Sequence, residues 1–85
     1  MKIVNVKKVN LGPTIKGFFD VDLDKFVIKG FKYMQQSGQK MWVAPPDEKY
    51  VDKDGVTKYK KIVEVTDKDY LAKIETAAVE AYQIS

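Results

Sequence analysis

The chain has 85 residues, a length that is enough for one domain with a thin core. Its formal net charge is +3. It contains no cysteine and no histidine, so disulfides, thiol chemistry, and the commonest general base and metal ligand are excluded. All 15 basic residues are lysines, which meet phosphates as point charges but cannot form the bidentate fork with which arginine reads guanine.

The N-terminal segment 2–10 alternates apolar and polar residues and predicts a first strand. The alternation slips near Lys7 and Lys8, which either a β-bulge or a strand buried on parts of both faces would explain. The next segment, 10–14, contains a Gly-Pro pair and predicts a turn.

Two alternating runs in the middle of the chain predict an antiparallel hairpin. The runs are 15–23 and 26–34, and they meet at a turn formed by Asp24–Lys25. Gly17 and Gly30 lie inside these strands, where glycine marks a bulge or a close backbone approach. We expect the two glycines to lie near each other across the hairpin.

The segment 40–44 predicts a fourth strand, which ends at Pro45–Pro46 because a proline pair cannot continue a central strand. After the prolines the chain must leave the sheet or run along an edge, and the segment 47–51 is polar, with Tyr50 and Val51 as possible anchors. Asp52–Gly55 is the strongest short turn signal in the chain, since Asp-Gly suits positive φ angles. A final strand is predicted over 58–65.

The C-terminal segment predicts one amphipathic helix that ends at about Tyr82. Thr66 supplies the N-cap, and Asp69 three residues later completes a capping box. Apolar residues recur at intervals of three and four, at Tyr70, Leu71, Ile74, Ala77, Ala78, Ala81 and Tyr82. The sequence therefore predicts an α+β domain over residues 1–85, with a small antiparallel sheet of about five strands and one C-terminal helix packed on it.

Carboxylates alternate with apolar residues over Asp20–Asp24, as in a calcium loop. An EF-hand requires glycine at its sixth position and glutamate at its twelfth, where this chain has Lys25 and Phe31. We therefore predict no metal site. The segment is interpreted as a solvated strand face, with Lys29 and Lys32 available as cross-strand partners.

Several functional classes leave no signature in the chain. No Walker, Rossmann, GxSxG or HExxH pattern is present, and nothing singles out one pair among the 12 carboxylates for acid–base catalysis. We expect no enzymatic activity, no cofactor and no small-molecule substrate.

The N-terminus lacks the apolar core of a signal peptide, and no apolar run approaches the ~18–20 residues that cross a bilayer. A soluble, cytoplasmic protein without a membrane partner is expected.

Phe18 shares a predicted strand face with Asp20 and Asp22, although most aromatic residues should be buried. Its ring could stack on a nucleic-acid base or contact a second protomer, and we favour the second interpretation.

Lysines are densest around the last predicted strand. Lys58, Lys60 and Lys61 form this cluster, with further lysines nearby at positions 53, 68 and 73. Lysines on an edge strand discourage unwanted strand pairing, whereas a lysine stripe can also contact phosphates. Composition does not separate these two interpretations.

Four segments, taken together and in order, resemble the stage V sporulation protein G (SpoVG) family, the septation protein family of small bacterial regulators. They are Val6–Asn10, Phe19–Met34, Gly38–Pro46 and Lys73–Tyr82. The third resembles the family pattern G-x-x-[FW]-[VL]-A-x-P, and the fourth resembles K-I-x-x-A-V-x-x-x-Y. The resemblance implies an α+β domain that dimerises through its sheet and binds DNA, in some members RNA, without being an enzyme.

Two segments depart from the family pattern. Pro46–Lys49 is mostly acidic where similar proteins have a basic run, and Asp67–Lys73 has two carboxylates where they have basic residues. The lysines of the last strand would compensate for these missing basic residues if the nucleic-acid-binding face lies on that strand. We therefore predict a homodimer that contacts phosphates of DNA or RNA, through Lys49, Lys53, Lys58, Lys60, Lys61, Lys68 and Lys73. The alternative is a non-enzymatic protein-interaction module that retains the dimer and has lost nucleic-acid binding.

Overall fold

A computed structural model describes all 85 residues and confirms the α+β fold. The elements in chain order are β1 (Lys2–Leu11), β2 (Ile15–Asp22), β3 (Val27–Met34), β4 (Trp42–Ala44), β5 (Asp47–Val51), β6 (Thr57–Lys61) and α1 (Lys68–Ile84). The first four strands form one antiparallel sheet in the order β1-β2-β3-β4, and β5 pairs only with β6 in a second sheet. Six strands replace the expected five or so, because the polar segment after the prolines forms β5.

The turn between β2 and β3 lies where the sequence predicts it. Leu23 N donates to Phe26 O at 2.9 Å, and Lys25 N donates to Leu23 O at 2.9 Å. Asp24 adopts a left-handed φ of 75°, a conformation that aspartate tolerates better than most residues. Its N–H also donates to Asp22 Oδ1 at 2.8 Å, which stabilises the turn locally.

The two strand glycines have separate structural roles. Gly30 has a φ of +90° at a bulge in β3, and its N–H donates to Asp20 Oδ1 at 3.1 Å. Gly17 pairs with Tyr33, and a Cβ at Gly17 would lie only 2.6 Å from the backbone oxygen of Lys7. The prediction that the two glycines neighbour each other is wrong. Gly30 permits a bulge and Gly17 permits a close backbone approach, which are the two reasons for glycine within a strand.

The predicted slip in β1 is confirmed as a bulge. Between Val4 and Lys7, β1 contains one residue more than its partner strand, and Asn5 adopts a φ of 53° there. The extra residue reverses the inside–outside alternation. As a result Ile3 and Val6, which a regular strand would place on opposite faces, both pack against the core.

The core lies between one face of the main sheet and α1. Its buried side chains are Phe19, Val21, Phe31, Tyr33, Val43, Ile74 and Ala78. Tyr33 joins the two layers, because its ring packs against Phe19 at 4.6 Å and its hydroxyl donates to Ala78 O at 2.7 Å. Burial raises the pKa of Tyr33 to about 12, with a smaller contribution from Tyr82.

The helix begins one residue later than the capping-box pattern predicts. Asp67 is the N-cap, since its Oδ1 accepts hydrogen bonds from Asp69 N at 2.9 Å and Tyr70 N at 3.2 Å. The predicted Thr66 N-cap is therefore wrong, because the aspartate carboxylate binds those free N–H groups instead. With 17 residues, α1 is neither long nor apolar enough to cross a membrane.

Candidate nucleic-acid interface

The predicted lysine-rich strand is one half of a separate hairpin, β5–β6. Ile62 N donates to Pro46 O at 3.2 Å just beyond the last strand pair. Pairing does not continue past the prolines, because proline has no N–H to donate. The strand predicted over 58–65 consequently starts near the expected position and ends early, at Lys61.

The predicted turn of this hairpin is confirmed, and Asp52 organises it. Asp52 Oδ1 accepts hydrogen bonds from Asp54 N at 2.9 Å and from Val56 N at 3.0 Å, while Gly55 has a φ of +78°. Lys58 Nζ lies 3.0 Å from Asp52 Oδ2. The hydrogen bond from Val56 lowers the pKa of Asp52 most, followed by that from Lys58. The positive charge of Lys58 is thus balanced within the hairpin.

Strand register divides the hairpin lysines between two faces, since directly opposite residues of an antiparallel pair share a face. Lys49 lies opposite Tyr59, and Lys61 is two residues further along the same face. Lys58 and Lys60 occupy the other face. The sequence alternation predicts the separation of Lys58 and Lys60 from Lys61, and the structure adds Lys49 to the Lys61 side.

The remaining candidate lysines lie outside these two strands. Lys53 is exposed in the turn of the hairpin. Lys68 is the first residue of α1, and Lys73 is exposed one turn further on, beside a shallow cleft of about 370 Å³. The structure therefore brings five of the seven candidates together on one hairpin and places two on the helix that packs against β1 and β4.

Two of the acidic residues in the departures from the family pattern, Asp47 and Asp67, have structural partners. Asp47 Oδ1 lies 2.7 Å from Lys32 Nζ, and Asp67 caps the helix. Lys32 is thus engaged by Asp47, which corrects the expectation that it pairs with the carboxylates of β2. Lys32 reaches Asp47 because the pairing of β3 with β4 places Lys32 opposite Ala44, only three residues before Asp47.

The carboxylates of Asp20 and Asp22 accept hydrogen bonds from protein groups. Asp20 Oδ2 accepts a hydrogen bond from Asn5 Nδ2 at 2.8 Å, so this side chain bridges the bulged β1 strand and the Gly30 bulge of β3. No ion pair joins Lys29 to any carboxylate of the segment. No group of three or more acidic side chains lies close enough to hold a metal ion.

One face of the main sheet carries no helix. Phe18 lies on this face, as the alternation predicts, between the buried Gly17 and Phe19. Trp42, which is 40% exposed, and the half-buried Met34 lie opposite each other on the same face. We call this surface the open face, and it combines apolar side chains with partial exposure.

Sequence reasoning did not single out Tyr59, whose side chain is 65% exposed on the hairpin. A signal was present: Lys49–Tyr50 precedes the Asp-Gly turn, and Lys58–Tyr59 follows it. Pairing those dipeptides across the turn would have predicted both β5 and the lysine–tyrosine neighbours. The polar composition of the first segment obscured its pairing potential.

Fold and surface together define an α+β domain with a lysine-rich β-hairpin attached to its main sheet. No protein-family model, curated protein or solved structure matches this chain. The resemblance to the SpoVG family consequently rests on the sequence segments quoted above.

Proposed function

We propose that this chain is a small bacterial nucleic-acid-binding regulator of the SpoVG type, cytoplasmic and without enzymatic activity. It acts as a homodimer and binds DNA or RNA through contacts between lysines and phosphates. The observation that carries the proposal is the β5–β6 hairpin, on which four lysines are exposed and free of ion pairs, at positions 49, 53, 60 and 61.

The charge balance of the hairpin supports phosphate binding. Asp47 and Asp52 are already held in ion pairs, which leaves the four free lysines against only Glu48 and Asp54. Free lysines on an exposed strand can displace the counterions of a nucleic-acid backbone, and this release drives association. Lysine binds phosphate as a point charge, so such contacts give affinity without base recognition.

A salt titration with duplex and single-stranded oligonucleotides tests the proposal. We expect the logarithm of the binding constant to fall linearly with the logarithm of salt concentration, with a slope near −0.9 per phosphate contact on duplex DNA. Four to seven engaged lysines per protomer then predict a slope of roughly −4 to −6 for each protomer bound. Absence of binding to both forms at about 50 mM salt would contradict the proposal.

The open face supports a homodimer. Only seven hydrophobic side chains are buried in the core, and the sheet face opposite the helix leaves Phe18 and Trp42 partly accessible. Covering such a face removes apolar area from water at about 25 cal/mol per Å². A small domain with a thin core gains stability from this association.

We expect sedimentation at micromolar concentration to give the mass of a dimer. Phe18→Glu should shift the protein toward monomer, because a carboxylate on the open face would have to be desolvated at the interface. Ile84→Glu is the matched control, since Ile84 is 82% exposed at the end of α1, on the other side of the sheet. A wild-type protein that sediments only as monomer, or equal effects of the two substitutions, would refute the dimer interface.

A second function, from a different class, is a protein-interaction module that retains the dimer. Exposed apolar residues on the hairpin favour it, since Val51 is 64% and Ile62 is 61% exposed. Val51 is also a diagonal neighbour of the exposed Tyr59 on one face, and an exposed apolar patch marks a protein-binding surface. Dimerisation without salt-dependent nucleic-acid binding would favour this second function over the first.

A further inference from the structure

We propose that one face of the β5–β6 hairpin is a binding site for single-stranded nucleic acid, in which a base stacks on Tyr59 while Lys49 and Lys61 hold the flanking phosphates. We call these three residues the Tyr59 face. The inference rests on the proposed nucleic-acid binding and specifies both the form of nucleic acid and the residues that engage its bases.

The register of the hairpin brings the three side chains together. Lys49 and Tyr59 are directly opposite, a relation that places their Cβ atoms about 4.5–5.5 Å apart. Lys61 follows Tyr59 by two residues and so projects from the same face. The ring of Tyr59 packs on no other aromatic ring and is 65% exposed. An exposed aromatic ring beside basic side chains is the combination that single-strand binding proteins use.

The local charges leave both lysines available. Asp47 is opposite Lys61 in the ladder, but its carboxylate is held by Lys32 at 2.7 Å. Neither Lys49 nor Lys61 forms an ion pair. The Tyr59 face therefore presents two free positive charges beside an exposed ring, which is complementary to a phosphate–base–phosphate unit.

The opposite face of the hairpin is a natural internal comparison. Tyr50 is 44% exposed there, but its partner across the ladder, Lys58, is bound to Asp52 at 3.0 Å. Glu48 lies opposite Lys60 on the same side and reduces the positive potential further. Only the Tyr59 face combines an exposed ring with two unpaired lysines.

Stacking on Tyr59 requires a base whose face is accessible, so it favours single strands over duplexes, in which neighbouring base pairs cover those faces. Every base has such a face, and the site is accordingly tolerant of sequence. Loss of one stacked base corresponds to about a 5- to 150-fold loss of affinity.

The test compares Tyr59→Leu, Tyr59→Phe and Tyr50→Leu in the full chain, with oligothymidylate and a mixed-sequence duplex as probes. We expect Tyr59→Leu to weaken oligothymidylate binding about 5- to 150-fold and to leave duplex binding nearly unchanged. Tyr59→Phe should retain most of the single-strand affinity, because it keeps the ring. Tyr50→Leu, the matched control, should have little effect on either probe.

Salt dependence separates the stacking contribution from the charge contribution. Tyr59→Leu should leave the salt slope unchanged, because no phosphate contact is removed. Replacing Lys49 and Lys61 with glutamine should reduce the slope on oligothymidylate by about 1.4, or about 0.7 for each lost contact. Matching thermal unfolding curves verify that these exposed substitutions leave the fold intact.

Three outcomes would overturn the Tyr59 face while leaving nucleic-acid binding in place. They are an unaffected Tyr59→Leu, equal losses on both probes, and a Tyr50→Leu effect as large as that of Tyr59→Leu. If the wild-type protein binds neither probe, the proposed function fails, and the Tyr59 face fails with it.

Discussion

Replacing Lys60 and Lys61 together with glutamate should abolish nucleic-acid binding at about 50 mM salt and leave the protein folded. Each substitution removes a cation and places an anion where a phosphate would lie, so the affinity should fall by about 100-fold or more, beyond the range in which binding is detected. Both side chains are exposed and outside any ion pair, so the fold does not depend on them. Binding is measured by fluorescence anisotropy and folding by circular dichroism.

The matched control is Lys2→Glu combined with Lys40→Glu. It makes the same change in net charge at two exposed lysines away from the hairpin, one on edge strand β1 and one in the loop before β4. If the control loses as much affinity as the hairpin variant, binding depends on overall charge and the hairpin is not the interface. Full affinity in the hairpin variant would refute the placement directly.

The two hairpin lysines lie on different faces, so the single variants add information. Lys61→Glu should act more strongly on single-stranded probes, because Lys61 is beside Tyr59. Lys60→Glu should affect single-stranded and duplex probes more evenly, since the tyrosine on its face, Tyr50, lies opposite a lysine that is already bound to Asp52. A double variant whose effect equals the sum of the singles indicates that the faces act independently.

Tyr33→Ala should leave the protein only marginally stable at 25 °C. Tyr33 is completely buried and contacts both Phe19 and the helix, and truncation of a buried aromatic side chain costs about 3–5 kcal/mol. The free energy of unfolding of a small domain is itself only about 5 kcal/mol, so little stability would remain. Urea unfolding followed by circular dichroism measures the difference.

Tyr33→Phe is the conservative comparison. It keeps the ring between Phe19 and Tyr82 and removes only the hydroxyl that donates to Ala78 O at 2.7 Å. A loss of about 1 kcal/mol is expected from that hydrogen bond. If alanine and phenylalanine cost the same, the hydrogen bond and not the packing of the ring would hold the helix to the sheet.

Local chemistry made much of the fold predictable. The Asp52–Gly55 turn, the strand end at Pro45–Pro46 and the apolar stripe of the helix each depend on residues close in sequence. The turn needs only the positive φ at Gly55, the strand end needs only the missing N–H of proline, and the helix stripe needs only a period near 3.6 residues. None of these depends on distant parts of the chain. The bulge in β1 was visible for the same reason, because a broken alternation is itself a local pattern.

The ion-pair partners of the lysines could not be predicted from local sequence. Composition located the basic residues around positions 58–61, and strand alternation separated Lys61 from Lys58 and Lys60. It did not identify their partners, because an ion pair depends on which strand lies alongside. Asp52 holds Lys58, and Asp47 holds Lys32, only once the hairpin and the main sheet have formed.

Sequence alone thus determined the class of fold, the central hairpin, the later turn and the helix, since each follows from backbone preference or a repeating apolar pattern. Tertiary structure decided that β5 exists, that Asp67 rather than Thr66 caps the helix, and that Tyr59 stands exposed beside Lys49. Strand pairing joins residues distant in sequence, and exposure depends on what packs against a side chain. Both are properties of the assembled chain, and the proposed binding surface depends on both.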